Sequence, residues 1–226
     1  MRFFAFLKVK KDDNLPLWIQ HNKPIIYIIL ITSGLALFFF CFLLGNKFLF
    51  LISPVIFISL FYQPHINLNE NFYSIRSIPL FKIFIISITW SYMTLLVPLL
   101  YEGYFLDYSI LSFFFQRILF LIALLIPFDI RDMKVDNIQT IPNTIGEFRS
   151  KLFGWFCLFI IQVLLILDVF SSTISLPFFL ALFISIELTS IVLYFTNQNK
   201  SFIFYGIIVE GLSIIMCLFV LIASFF

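Results

Sequence analysis

IIYIILITSGLALFFFCFLL, residues 25–44, is a run of twenty residues without a single charged side chain. At the rise of an α-helix such a run is about 30 Å long, the thickness of a bilayer's hydrocarbon core. It has no polar–apolar alternation, so it does not read as a barrel strand. Further continuous apolar runs follow at 48–62, 79–100, 107–128, 152–170, 176–195 and 203–225. The second of these, FLFLISPVIFISLFY, is the shortest and contains Pro54. Because backbone polar groups must be satisfied internally in lipid, continuous runs of this kind predict helices. The expected fold is therefore all-α, a polytopic transmembrane bundle of about seven spans. A cytoplasmic segment, 1–24, would precede a single membrane domain, 25–226.

Composition excludes a water-soluble reading. Of the 226 residues, 62% are apolar and 12% are charged, and the mean hydropathy is +1.09. A soluble domain is about half apolar and about a quarter charged, and one core of this chain length cannot hide so much apolar surface. The 34 phenylalanines are read as lipid-facing filler. Cys41, Cys157 and Cys217 lie in apolar runs without metal-ligand spacing, and are expected to be small core residues rather than a disulfide framework.

The net charge of +2 says less than its distribution. Arg2, Lys8, Lys10, Lys11 and Lys23 precede the first span; Arg76, Lys82, Arg131, Lys134, Arg149, Lys151 and Lys200 fall in or beside alternate loops. The intervening loops hold only Lys47, and Arg117 lies inside a span. Cations mark the cytoplasmic side. The N-terminus is thus expected inside and the C-terminus outside, with loops 63–78, 129–150 and 196–202 facing the cytoplasm. No nucleic-acid partner is expected.

The second of those loops, with the end of the span before it, carries the chemistry-bearing residues: IPFDIRDMKVDNIQTIPNTIG, 126–146. Asp129, Asp132 and Asp136 are spaced i, i+3 and i+7, one face of a helix. Carboxylates so arranged repel unless a cation lies among them, and Mg²⁺ takes carboxylate oxygens while bridging to substrate phosphates. Arg131 and Lys134 are interleaved and suit phosphate oxygens. A solvated acidic loop after a membrane helix is the plainer alternative.

The string DIRDMKVD followed by TIP and Gly146 resembles the second aspartate-rich motif of the UbiA-type prenyltransferase superfamily, intramembrane enzymes that transfer an isoprenoid chain from its diphosphate to an acceptor. Asp129, the pair Asp132 and Asp136, and Thr140 with Pro142 match the pattern. RSIPLFKIFIISITW, 76–90, with Arg76, Pro79 and Lys82, is similar to the stretch before a central span in bacterial members, and three spans follow the motif as in the family. The resemblance runs from about Trp18 to the end. It implies a shortened form, lacking the family's first two helices and first aspartate-rich motif. It implies Asp129, Asp132 and Asp136 as catalytic residues, with Mg²⁺ on Asp132 and Asp136. Arg131, Lys134, Arg76 and Lys82 would bind the isoprenoid diphosphate, and the acceptor would be a lipid or an aromatic ring. The expected function is prenyl transfer, in an active, truncated or inactive form. The alternatives are a noncatalytic lipid-binding or scaffold protein of the same fold, and a small transporter.

Three ionisable residues, Arg117, Glu187 and Glu210, fall within spans. Charge at that depth costs roughly 3 kcal/mol and calls for a partner. Arg117 is expected to pair with one of the two glutamates, either as a structural tether, with a protonated carboxyl as a further alternative, or as a substrate-binding wall of the acceptor pocket. Asp168, near the outer end of its span, is expected to reach the interface.

Overall fold

The computed structural model describes residues 22–62, 80–133, 140–201 and 203–226. The chain divides into two units, Met1–Phe72 and Tyr73–Phe226. Among the described residues all regular structure is helical, and six helices are long and apolar enough to cross a membrane. The protein is an integral membrane helical protein.

The first unit holds α1, Lys23–Tyr62. It joins the first two apolar runs, which were expected as separate spans, into one element interrupted at Gly45, where the backbone leaves helical geometry at φ 76° and ψ −174°. That combination is essentially reserved for glycine. The apolar part, Pro24–Ser59, has 36 residues; as a straight helix it would extend about 54 Å, well beyond a core of about 30 Å. The break therefore sits where an uninterrupted helix would outrun the membrane.

The second unit contains α2 (Phe81–Glu102), α3 (Tyr108–Asp132), the single turn α4 (Ile141–Ile145), α5 (Glu147–Phe170), α6 (Leu176–Phe195) and α7 (Phe204–Ala223). Asp107 starts α3 as an N-cap, its carboxylate accepting the Ile110 N–H at 2.8 Å, which satisfies one of the orphan donors of a helix start. α3 packs on α2, α5 and α6, and α6 also packs on α7. It is consequently the most buried span, and Ile122, Ala123, Ile126 and Ile130 form its inward stripe. The opposite, outward surfaces carry exposed Trp90, Phe115, Phe156, Phe159, Ile184 and Leu218. Apolar side chains on an outward face are normal when the solvent is lipid.

Without a hydrophobic drive between helices in lipid, small residues let backbones approach. Gly154 on α5 is such a point: a Cβ there would lie 2.7 Å from Leu193 Cδ2 and 3.0 Å from Ile126 Cδ1. Buried Ser87, Ser150, Ser185 and Thr189 serve similarly, each hydroxyl donating to a carbonyl one turn back. Of the cysteines, only Cys157 is a core residue as expected; Cys41 is half-buried and Cys217 exposed, and all three are free thiols.

Two spans contain a π-helical stretch, Tyr92–Leu96 in α2 and Phe204–Val209 in α7. In α2 the cause lies in the sequence. Pro98 has no N–H to give the carbonyl four residues back, and the ladder shifts so that Val97 N–H bonds Tyr92 O. Such bulges turn side chains in directions a regular helix cannot offer, and are frequent at functional sites.

Candidate functional site

One end of the second unit gathers the start of α2, the end of α3, α4, the start of α5, and the α6–α7 connection. The first tie there is Lys82 Nζ to Asp129 Oδ1, 2.9 Å, between the first turn of α2 and the last turns of α3. The two side chains are only 16% and 7% exposed. Leu80, just before α2, takes a left-handed conformation at φ 67°, which is costly for a branched residue, and Lys82 follows it within the first turn.

The second tie is within α3. Arg131 Nε and Nη2 donate to Asp132 Oδ1 and Oδ2 at 2.7 and 3.1 Å, a bidentate pair between neighbours. The guanidinium carbon also lies 5.4 Å from the ring centres of both Phe128 and Tyr205, within cation–π range. Tyr205 is fully buried and donates its hydroxyl to Asn197 O at 2.7 Å. It belongs to the π-helical stretch of α7, so the arginine that opens the aspartate motif is held from the side by a different span. Gln198 Nε2 reaches Met133 Sδ at 3.2 Å and fastens the same connection to the end of α3.

The segment from Thr140 to Gly146 is the single turn α4, docked on α3 and α5. Pro142 sits at the start of the turn, where its missing N–H is not needed, and it is buried. Gly146 follows at φ 86° and begins α5. Thr140 is 2% exposed, and its Oγ1 is a buried hydroxyl without a hydrogen-bond partner. A buried hydroxyl without a partner is unusual in a fold.

The structure thus brings together Lys82, Asp129, Arg131 and Asp132, four of the residues expected to act. Arg76, Lys134 and Asp136 lie outside the described residues. Among the described residues no three His, Cys, Asp or Glu side chains converge as a metal cluster. Tyr205, Phe128 and Asn197 were not anticipated. Tyr205 sits in an ordinary apolar run, and only the tertiary approach of α7 to α3 gives it a role.

Arg117 is not where the sequence put it. Its Nε donates to Thr94 Oγ1 at 2.9 Å, and Glu187 instead accepts from Gln162 at 2.5 Å. The expected arginine–glutamate pair is replaced by a hydroxyl, because the π-helical stretch of α2 carries Thr94 toward α3. Asp168 also departs from expectation. It is 4% exposed rather than at the interface, accepting from Gln116 Nε2 at 2.7 Å. Between α2, α3, α5, α6 and α7 lies a cavity of about 400 Å³, and Arg117 is on its wall. No protein-family model matches the chain, and no curated protein or solved structure matches it.

Proposed function

We propose that this protein is a UbiA-like membrane prenyltransferase, which transfers a prenyl group from an isoprenoid diphosphate to a lipid or aromatic acceptor. The single observation that supports the reading is the convergence at one polar end of Lys82, from the first turn of α2, with Asp129 and the Arg131–Asp132 pair of the aspartate motif. The four residues are 47 or more positions apart only for Lys82 and α3, so sequence adjacency does not account for that half of the cluster. The polar end is assigned to the cytoplasmic side by its cations.

The donor chemistry suits Mg²⁺ at one carboxylate and not at the other. Asp129 gives an oxygen to Lys82 in a nearly buried pair and is 7% exposed, whereas Asp132 pairs with the adjacent Arg131 and is 17% exposed. Asp132, with Asp136, would hold the ion, which supplies charge neutralisation on the diphosphate. An ion and a diphosphate together carry both signs of charge. With both bound, Asp132 would face a cation and Arg131 an anion, so that neither member of the resting pair would be left with an unpaired charge. Asp129, paired with Lys82 at 2.9 Å, would then position that ammonium for the same anion. The allylic C–O bond breaks with its electrons leaving on the diphosphate, the acceptor's electron pair forms the new bond to carbon, and the acceptor loses a proton. Apolar walls exclude water from the cation.

The test is diphosphate release from geranylgeranyl diphosphate by the purified protein in nanodiscs made with a total membrane lipid extract. Mg²⁺-dependent release, reduced about 100-fold in Asp132→Asn with unchanged helicity, is the expected outcome. A folded wild-type protein that releases no diphosphate would leave the noncatalytic lipid-binding reading in its place.

A further inference from the structure

The two arginines of α3 are treated differently by the fold. Arg131 has a carboxylate and two aromatic faces. Arg117 lies nine residues into the helix, about 14 Å from its first residue and about 18 Å from Asp129, and is flanked by hydrocarbon-facing spans. Its described hydrogen bond uses Nε alone, toward Thr94. The Thr94 proton is already directed at Trp90 O, 2.7 Å away, so the hydroxyl is a neutral acceptor and contributes no negative charge. Among the described residues no carboxylate lies within ion-pair distance of Arg117.

A guanidinium has five donors in a planar fork and does not lose its charge. In a membrane such a group is expensive unless it meets an anion or water. Here it meets the cavity. Of the lining residues Arg117 is the sole charged one; the walls are largely apolar, with Phe120, Leu165, Leu182 and Met216 among them. Gln116 also lines it, but its amide N–H groups are engaged by Ser112 and Asp168 at 3.1 and 2.7 Å. The volume of about 400 Å³ lies toward the small end of pockets that take an organic molecule.

We propose that this cavity binds a single-chain amphiphile with an anionic headgroup, specifically a fatty-acid carboxylate. The Nη groups of Arg117 meet the carboxylate and the apolar walls receive part of the chain. A carboxylate matches the guanidinium fork with two parallel hydrogen bonds, and a single chain fits a small cavity that a two-chain lipid would overfill. The site is separate from the aspartate cluster and does not depend on the prenyltransferase reading.

The experiment is equilibrium binding of radiolabelled oleate to the purified full chain in detergent micelles, with oleyl alcohol and lysophosphatidate as competitors and detergent-only controls. Oleate is expected to bind at one per chain, and oleyl alcohol to compete about 10- to 100-fold more weakly, the worth of a charge-assisted hydrogen-bonded pair. Arg117→Gln should weaken oleate by a similar factor without changing oleyl alcohol binding, and Arg117→Lys should recover part of the loss. Leu182→Trp, which fills the cavity and leaves the arginine, should remove both ligands. Asp132→Asn should leave oleate binding unchanged, which separates this site from the proposed catalytic one. Equal binding of acid and alcohol, or oleate binding indifferent to both Arg117→Gln and Leu182→Trp, overturns the proposal. Lysophosphatidate binding more tightly than oleate overturns the carboxylate assignment.

Discussion

The ion pair between Lys82 and Asp129 offers the sharpest test of how the second unit is held together. The perturbation is Lys82→Met and Asp129→Leu, singly and together. At 2.9 Å the Coulomb attraction is about 6 kcal/mol at an effective dielectric of about 20, and about 1.4 kcal/mol in water. With side chains 16% and 7% exposed, the first value is the nearer one. Desolvation of two ions offsets several kcal/mol of it, so the pair as a whole adds little over two well-packed apolar side chains. Removing one member, however, takes this partner from a nearly buried charge, at about 3 kcal/mol. Each single variant should therefore lose about 3 kcal/mol, and the double variant should be no worse than either, a coupling of about 3 kcal/mol. The assay is reversible unfolding in mixed micelles titrated with dodecyl sulfate, followed by helical circular dichroism. Single variants that each lose under about 1 kcal/mol, adding simply in the double, would show a solvated pair and refute the packing of α2 on α3 derived above.

Gly154→Ala places a methyl 2.7 Å from Leu193 Cδ2 and should cost about 1–3 kcal/mol in the same titration, with Leu193→Ala restoring part of the loss. Gly45→Ala forces a Cβ onto a backbone at φ 76°. It should cost about 1–3 kcal/mol, or else change the break in α1, which spin-label distances between positions 35 and 55 would report. Gln116→Leu removes the donor to buried Asp168 and should lose about 1–3 kcal/mol, with Asp168→Asn in the same background recovering stability because no buried charge is left unpaired.

Much of the architecture is legible in the chain because lipid makes one demand of every span. Each span must be apolar along its length and long enough, and five of the expected runs return as α2, α3, α5, α6 and α7. In the region 25–62 the expected boundary between the runs 25–44 and 48–62 coincides with the break at Gly45, although the two stretches form one interrupted element. The site was half legible. Asp129, Arg131 and Asp132 are neighbours in sequence, and Lys82 stands out as a cation at the start of a span. The partner of Arg117 was misjudged for a physical reason. Charge-pairing logic looks for a carboxylate, whereas the π-helical stretch caused by Pro98 offers the hydroxyl of Thr94. Asp168 was misjudged likewise, since nothing local shows that Gln116, 52 residues away, is directed at it.

By itself the amino-acid sequence determined the solvent of this protein, its helical class and the end of the bundle where charge collects, because hydropathy and the placement of Lys and Arg are properties of composition along a line. Which spans touch was left to the tertiary structure, and so was everything that follows from it: Tyr205 beside Arg131, Lys82 against Asp129, and a cavity whose single charge is Arg117. The reason is that apolar helices look alike to lipid on every side. Their neighbours are chosen by small-residue contacts such as Gly154 on Leu193 and by backbone irregularities, and neither leaves a periodic mark in the chain.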